Sequence, residues 1–195
     1  MKTPCQSFFP ILAVVMVASA ASLGAQDRTF RIAPARTTVE FTLGATLHTV
    51  HGTFRLSSGR VGFDPVTGRA SGELVVDSTS ARTGNAARDT KLHGEILESA
   101  RFPRIVFRPD RVEGTVAGQG ISKVELHGSV EIHGVRHEVV VPVEVRASAG
   151  EYAGTASFGV PYVKWGMKNP SAFILRVSDH VDVAVHTVAA AKSGD

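Results

Sequence analysis

The sequence predicts an all-β fold, an antiparallel barrel of about eight strands closed by one short lid helix, and three observations carry that prediction. Strand-length stretches alternate apolar with polar residues, as in Val39, Phe41 and Leu43 against Thr38, Glu40 and Thr42. The connections are of hairpin size, which favours antiparallel pairing over crossovers. The alternation breaks once, within residues 88–107, where a helix-like segment intervenes before the strand pattern resumes at Ile105. A sheet this long tends to close on itself, which removes its exposed edges.

Residues 1–25 read as a secretory leader, with Lys2 as the positive start, an apolar run over 8–17 and small residues over 18–25 for cleavage. The periplasm or the exterior is the expected location. The apolar run is about half the roughly 20 residues that a membrane helix needs, and no later stretch approaches that length, so no transmembrane segment is expected. Cys5 is the only cysteine and sits in the leader, which removes disulfides, thiolate zinc and cysteine nucleophiles from the mature chain. Residues 26–195 are enough for a single domain that buries roughly 70% of its unfolded surface.

Strand candidates then follow in order at 30–32, 38–43, 53–56, 60–63 and 72–78, with Asp64-Pro65-Val66-Thr67-Gly68 as a turn. In the lid, Leu92, Ile96 and Leu97 share a helical face, Asp89 can cap the first turn, and Pro103 ends the helix. Gly94 costs such a helix roughly 1 kcal/mol, so it should be a turn or two long. Further strands are expected at 105–108, 112–116, 123–132, 137–145, 152–158, 173–177 and 181–187.

The dipeptide His-Gly occurs at His51, His93, His127 and His133, each time after an apolar residue, at separations too unequal for a tandem repeat. On strands the histidine would face outward, and the glycine would permit tight coiling. The formal net charge is +3. Its densest group, Arg101, Arg104, Arg108 and Arg111, lacks the interleaved aromatics of a nucleic-acid platform and reads as a solvated face.

Several segments in this order resemble the YceI-like family of exported proteins. They are Val50-His51-Gly52-Thr53-Phe54 with Gly59 and Asp64, the 83–92 stretch with Arg88-Asp89 and Leu92, Phe102-Pro103-Arg104-Ile105-Val106-Phe107, and residues 126–135. The resemblance covers nearly all of 28–188. It departs at Ile96-Leu97-Glu98, where the family commonly shows a Phe-Phe-Asp-like stretch, and at 165–170, which looks like one branch of the family. The resemblance implies a lipocalin-like barrel around an elongated apolar cavity that binds a polyisoprenoid or another long-chain amphiphile without acting on it.

Phe41, Phe54, Phe63, Phe107 and Val130 lie on the apolar faces, with Leu92 and Ile96 on the lid, and together they are the candidate apolar ligand contacts. Periodicity alone does not separate a tunnel from a packed core; the resemblance favours the tunnel. Arg88 and Asp89 are expected near its mouth, where a guanidinium could fork onto phosphate or carboxylate oxygens, or else pair with a surface carboxylate while Asp89 caps the helix. Trp165, with Tyr162 and Met167, sits in a Gly- and Pro-punctuated loop and would either close over a ligand or pin the loop to the barrel.

His133 and His137 flank a turn and could approach each other, but with Glu131 or Glu138 they make an incomplete metal set, so no metal is expected. No Gly-x-Ser-x-Gly elbow, His-Glu-x-x-His helix or phosphate-cradling loop is present, and Ser129, His127 and Glu131 read as an exposed polar row. No catalytic residue and no cofactor are expected. The alternatives are a solid scaffold that binds an envelope protein through its basic face and the Trp165 loop, and a hydrolase acting on a lipid-like substrate. Whether two chains form a homodimer stays open.

Overall fold

The computed structural model describes residues 28–46, 48–171 and 176–192, so the expected leader lies outside the described residues. One antiparallel sheet contains β1 (Arg28–Ile32), β2 (Thr38–Gly44), β3 (Thr49–Phe63), β4 (Ala70–Arg82), β5 (Arg104–Glu113), β6 (Gly120–Ile132), β7 (Val135–Ser148), β8 (Glu151–Val160) and β9 (Val181–Lys192). Strands β2 to β9 pair in a closed ring, and β1 is the extra strand.

β1 and β2 share one place in the wall. β2 pairs with β3 from Val39↔Phe54 and with β9 from Thr38↔His186, whereas β1 pairs with the far ends of the same two strands at Arg31↔Arg60 and Ile32↔Ala189. A single 3-10 turn, Pro34–Arg36, separates them, because Pro34 withholds a ladder donor and fixes φ. Hairpin-sized turns join most other neighbours, with Gly68 and Gly134 at φ of 71° and 77°. In the Asp64 turn, the carboxylate accepts from Val66 N and Thr67 Oγ1.

Two pairs of expected strands are each one continuous strand. The 53–56 and 60–63 stretches both belong to β3, where a bulge near Ser58 takes up the apparent turn and Gly59 leaves room for Ile32, which a Cβ there would meet at 2.7 Å. The 105–108 stretch and the first two residues of the expected 112–116 strand both belong to β5, since its bulge at Pro109–Arg111 tolerates the missing amide of proline, and 114–116 lie beyond the end of that strand. Of the expected 173–177 strand, 173–175 lie outside the described residues and Val177 forms an isolated bridge to Ala45.

The lid helix α1 (Ala86–Lys91) begins a turn earlier than Asp89, so Asp89 is not its cap. The Asn85 side chain accepts from Arg88 N at 3.0 Å and fills that role. The helix then widens over Leu92–Ile96 into a π-helical turn closed by Leu97 N to Leu92 O at 2.9 Å.

Two apolar clusters occupy the interior. Phe30, Ile32, Leu56, Phe63 and Val112 anchor one, with Phe30 stacked on Phe63 at 5.9 Å and edge-on to Tyr152 at 4.8 Å. Ala81, Leu97, Val160, Tyr162 and Met167 anchor the other, beneath the lid. Outside, Arg101 pairs with Glu98, Arg104 with Glu73, Arg108 with Glu73 and Glu131, and Arg111 with Glu113. These solvent-facing pairs contribute little to stability.

Candidate functional site

Between the two clusters lies a cavity of about 340 Å³. Phe41, Phe54, Phe63, Phe107 and Val130 line it from the strands, and Leu92 and Ile96 line it from the lid. Trp165 joins them from the loop after β8. Strand alternation places these side chains on the inner face, and the lid's widened turn keeps Leu92, Ile96 and Leu97 directed at the same space.

Among the described residues no Asp, Glu, Lys, Arg or His lines the cavity, and the main polar groups of the lining are the hydroxyls of Tyr152, Tyr162 and Thr187. The Tyr162 hydroxyl already donates to Ser178 O at 2.7 Å. Burial, followed by the negative charge of Asp179, raises its pKa and keeps it neutral. Such a lining can solvate hydrocarbon but offers neither a carboxylate nor an imidazole to move a proton.

Arg88 and Asp89 do not line the cavity. Asp89 Oδ1 accepts from Thr83 N at 2.8 Å and Thr83 Oγ1 at 2.6 Å, which fastens the lid to the end of β4. Arg88 stands one helical turn before Leu92, on the same side of the lid but outside the lined space. Its guanidinium is not among the ion pairs of the described residues.

A buried polar contact also seats the lid. Ser99 Oγ lies 2.9 Å from His93 Nδ1 and 3.3 Å from Ser78 O, and His93 Nε2 lies 3.0 Å from Ala81 O. Arg82 Nη1 lies 3.1 Å from the same Nε2 and donates to Ala81 O at 2.7 Å, so the tautomer that satisfies these partners has Nδ1–H donating to Ser99 Oγ, Ser99 Oγ–H donating to Ser78 O, and Nε2 accepting from Arg82. Ser99 is 3% exposed and absent from the cavity lining, so this pair is a structural clasp. The sequence brings His93 into view within the lid segment, but not its contacts with Ser99 and Ala81.

Trp165 does two things at once. It faces the cavity, and its indole lies flat on the His137 imidazole of β7, with centroids 4.2 Å apart and planes 2° from parallel. Burial lowers the pKa of His137 and favours the neutral ring. The loop is held further by Met167 N to Tyr162 O at 3.0 Å and by Lys168 Nζ, which donates to Glu95 Oε2 of the lid at 2.6 Å. Nothing in the sequence marked His137 as the partner of Trp165, because the pairing crosses the barrel wall.

The expected approach of His133 and His137 is replaced by separate contacts: His133 packs on Phe102 at 4.5 Å and faces Glu98, His137 stacks on Trp165, and Glu131 pairs with Arg108. Glu113, Glu125 and His127 bring three ligand atoms within 4.8 Å of one another on the outer face. Arg111 donates to His127 Nδ1 at 3.1 Å and pairs with Glu113, so a guanidinium already supplies the positive charge there.

The description of the YceI-like domain matches residues 30–189, which is most of the chain. The chain belongs to the YceI-like family. Its barrel is similar to that of BcnA from Burkholderia cenocepacia, at 18% identity and a TM-score of 0.69 over 80% of this chain and 98% of that one. It is also similar to a polyisoprenoid binding domain from Saccharophagus degradans, at 18% identity and a TM-score of 0.61 over 84% and 98%. A YceI protein from Campylobacter jejuni matches at 18% identity and a TM-score of 0.62 over 76% and 88%. No curated protein is significantly similar in sequence. At this identity the structural matches establish the fold of a YceI-like barrel, and the cavity carries the argument for function.

Proposed function

We propose that this YceI-like protein is exported and there binds a polyisoprenoid or a similar long-chain amphiphile, sequestering or carrying it. The observation that carries the reading is a cavity lined from strands, lid and loop by apolar side chains, with no charged group among the described residues that line it. Each methylene buried there contributes about 0.8 kcal/mol, so a long tail approaches the usual affinity ceiling of about 18 to 21 kcal/mol before ordering costs are subtracted. Family membership and the polyisoprenoid-binding description of the Saccharophagus degradans relative support the choice of ligand class.

The open interior disfavours a solid scaffold, and a lining whose hydroxyls have no carboxylate, imidazole or amine beside them among the described residues to act as base disfavours a hydrolase. Export rests on the leader-like residues 1–25. Organic extraction of the purified protein followed by mass spectrometry tests the binding reading: stoichiometric lipid is expected. A protein that yields none and also fails to take up a fluorescent prenyl probe would not be a carrier. Cell fractionation with N-terminal sequencing tests export, and an intact residue 1 on cytoplasmic protein would refute it.

A further inference from the structure

The wall of the barrel is not uniformly knitted. β6 and β7 pair without interruption from Gly120↔Ala147 to Ile132↔Val135, and β8 and β9 pair from Glu151↔Ala190 to Val160↔Val181. Between β7 and β8, pairing runs only from Ser148↔Glu151 to Val143↔Ala156. Residues 135–142 of β7 and 157–160 of β8 make no pair with each other, which leaves a seam in the wall at the lid end.

The seam leads into the cavity. Val141 on one side and Phe158 and Val160 on the other are lining residues. What spans it is a side-chain contact: Trp165, from the loop that follows β8, lies on His137 of β7. The imidazole Nε2 is buried without a hydrogen-bond partner among the described residues, so stacking, and not a directional bond through that atom, joins the two sides. Along β6–β7 and β8–β9 the wall is held by ladders of backbone hydrogen bonds, which must break in series, and the short β4–β5 ladder is continued at the lid end by Ser78 N to Pro103 O; here one ring must slide off another. At the opposite end, β1 bonds to both β3 and β9, and Phe30, Phe63 and Tyr152 pack together behind it.

We propose that the β7–β8 seam is the lateral entrance for the hydrocarbon chain, and that the Trp165–His137 stack is its gate. The proposal rests on the lipid-binding reading above. A side entrance lets a tail slip into the apolar interior while its polar head stays in water, which avoids the cost of drawing that head through the barrel. His137 is then a positioning residue: it holds Trp165 in the closed position without lining the cavity.

The test is stopped-flow binding of a dansylated long-chain fatty acid to the delipidated mature chain. His137→Ala removes the surface on which Trp165 rests and should raise both the association and dissociation rate constants about five- to tenfold, with Kd within about threefold of the parent. His137→Phe, which restores a flat ring, should return both rates toward the parent values. Trp165→Ala offers a second route to the open seam and should also accelerate association. If the parent binds the probe and both alanine variants, shown folded by circular dichroism, associate at the parent rate, the gate is wrong and the binding reading survives. If the parent binds neither this probe nor a prenyl probe, the binding reading falls and the gate with it.

Discussion

Asp89 holds both hydrogen-bond donors of Thr83, accepting from its backbone amide at 2.8 Å and from its hydroxyl at 2.6 Å. This contact ties the first turn of the lid to the residue that follows β4, so the carboxylate helps to set where Leu92 and Ile96 meet the cavity. The Thr83 hydroxyl is the leading cause of its lowered pKa.

Stability should follow that ionisation. Because the folded-state pKa is depressed, the contribution is present above the unfolded value of about 3.9 and is lost as pH falls through the folded value. Asp89→Ala should cost about 1 kcal/mol at pH 7 after allowance for solvent screening. Urea unfolding of the two proteins should give a gap that closes as the medium is acidified from pH 5 to 2. A gap that is constant across this range would show that the charge is not what holds Thr83.

The Ser99–His93 clasp gives a second prediction. Ser99→Ala leaves the His93 Nδ1–H without the acceptor it has at 2.9 Å in a half-buried site, at a cost of about 1 to 3 kcal/mol. Native-state hydrogen exchange should show the loss concentrated in residues 86–102 if the clasp seats the lid. Uniform loss over the strands would place the clasp in the global core instead.

The inner-face strand residues were legible because alternation needs only near neighbours. Val39 and Phe41 are buried and Glu40 is exposed, as the pattern of β2 requires. The start of the lid was less so. Asn85 and Asp89 are both capping types four residues apart, and the apolar spacing of Leu92, Ile96 and Leu97 drew the start toward Asp89, whereas Ala86 and Ala87 readily extend the helix back to Asn85. The His-Gly rule had mixed meaning: a Cβ at Gly52 would come within 2.2 Å of the Phe41 ring and one at Gly128 within 2.3 Å of Arg108 O, but Gly94 faces open space and Gly134 serves a turn.

The shared place of β1 and β2, the β7–β8 seam and the Trp165–His137 stack depend on which strands meet, and no local pattern encodes that. Tunnel and packed core also use the same residues. Phe41 and Phe54 sit 5.2 Å apart and line the cavity, yet the same pair would suit a filled interior.

Arg88 offers a test of head-group recognition. It precedes Leu92 by one turn, so a tail lying against Leu92 would carry a phosphate or carboxylate outside the lined space and toward the Arg88 guanidinium. Arg88→Ala should weaken farnesyl diphosphate about tenfold, as expected for loss of a charge-assisted contact, and leave farnesol within about twofold. Equal affinity of parent and variant for the diphosphate, measured by titration, would remove Arg88 from the site.

Filling the cavity separates binding within the barrel from binding on its surface. Ala156 of β8 faces the cavity and stands between Val143 and Val185 in the sheet, so its backbone is held on both sides while its methyl leaves space in front. Ala156→Phe directs a ring into that space and should abolish uptake of a prenyl probe. The stability cost should stay at or below about 1 to 3 kcal/mol, the usual range for overpacking, because the ring enters an existing void. Thermal unfolding and probe titration on the same sample check both halves. Full probe affinity in a folded Ala156→Phe protein would mean that the ligand lies outside the barrel, for the ring would occupy the space the tail needs while Ala156 stays paired to Val143 and Val185.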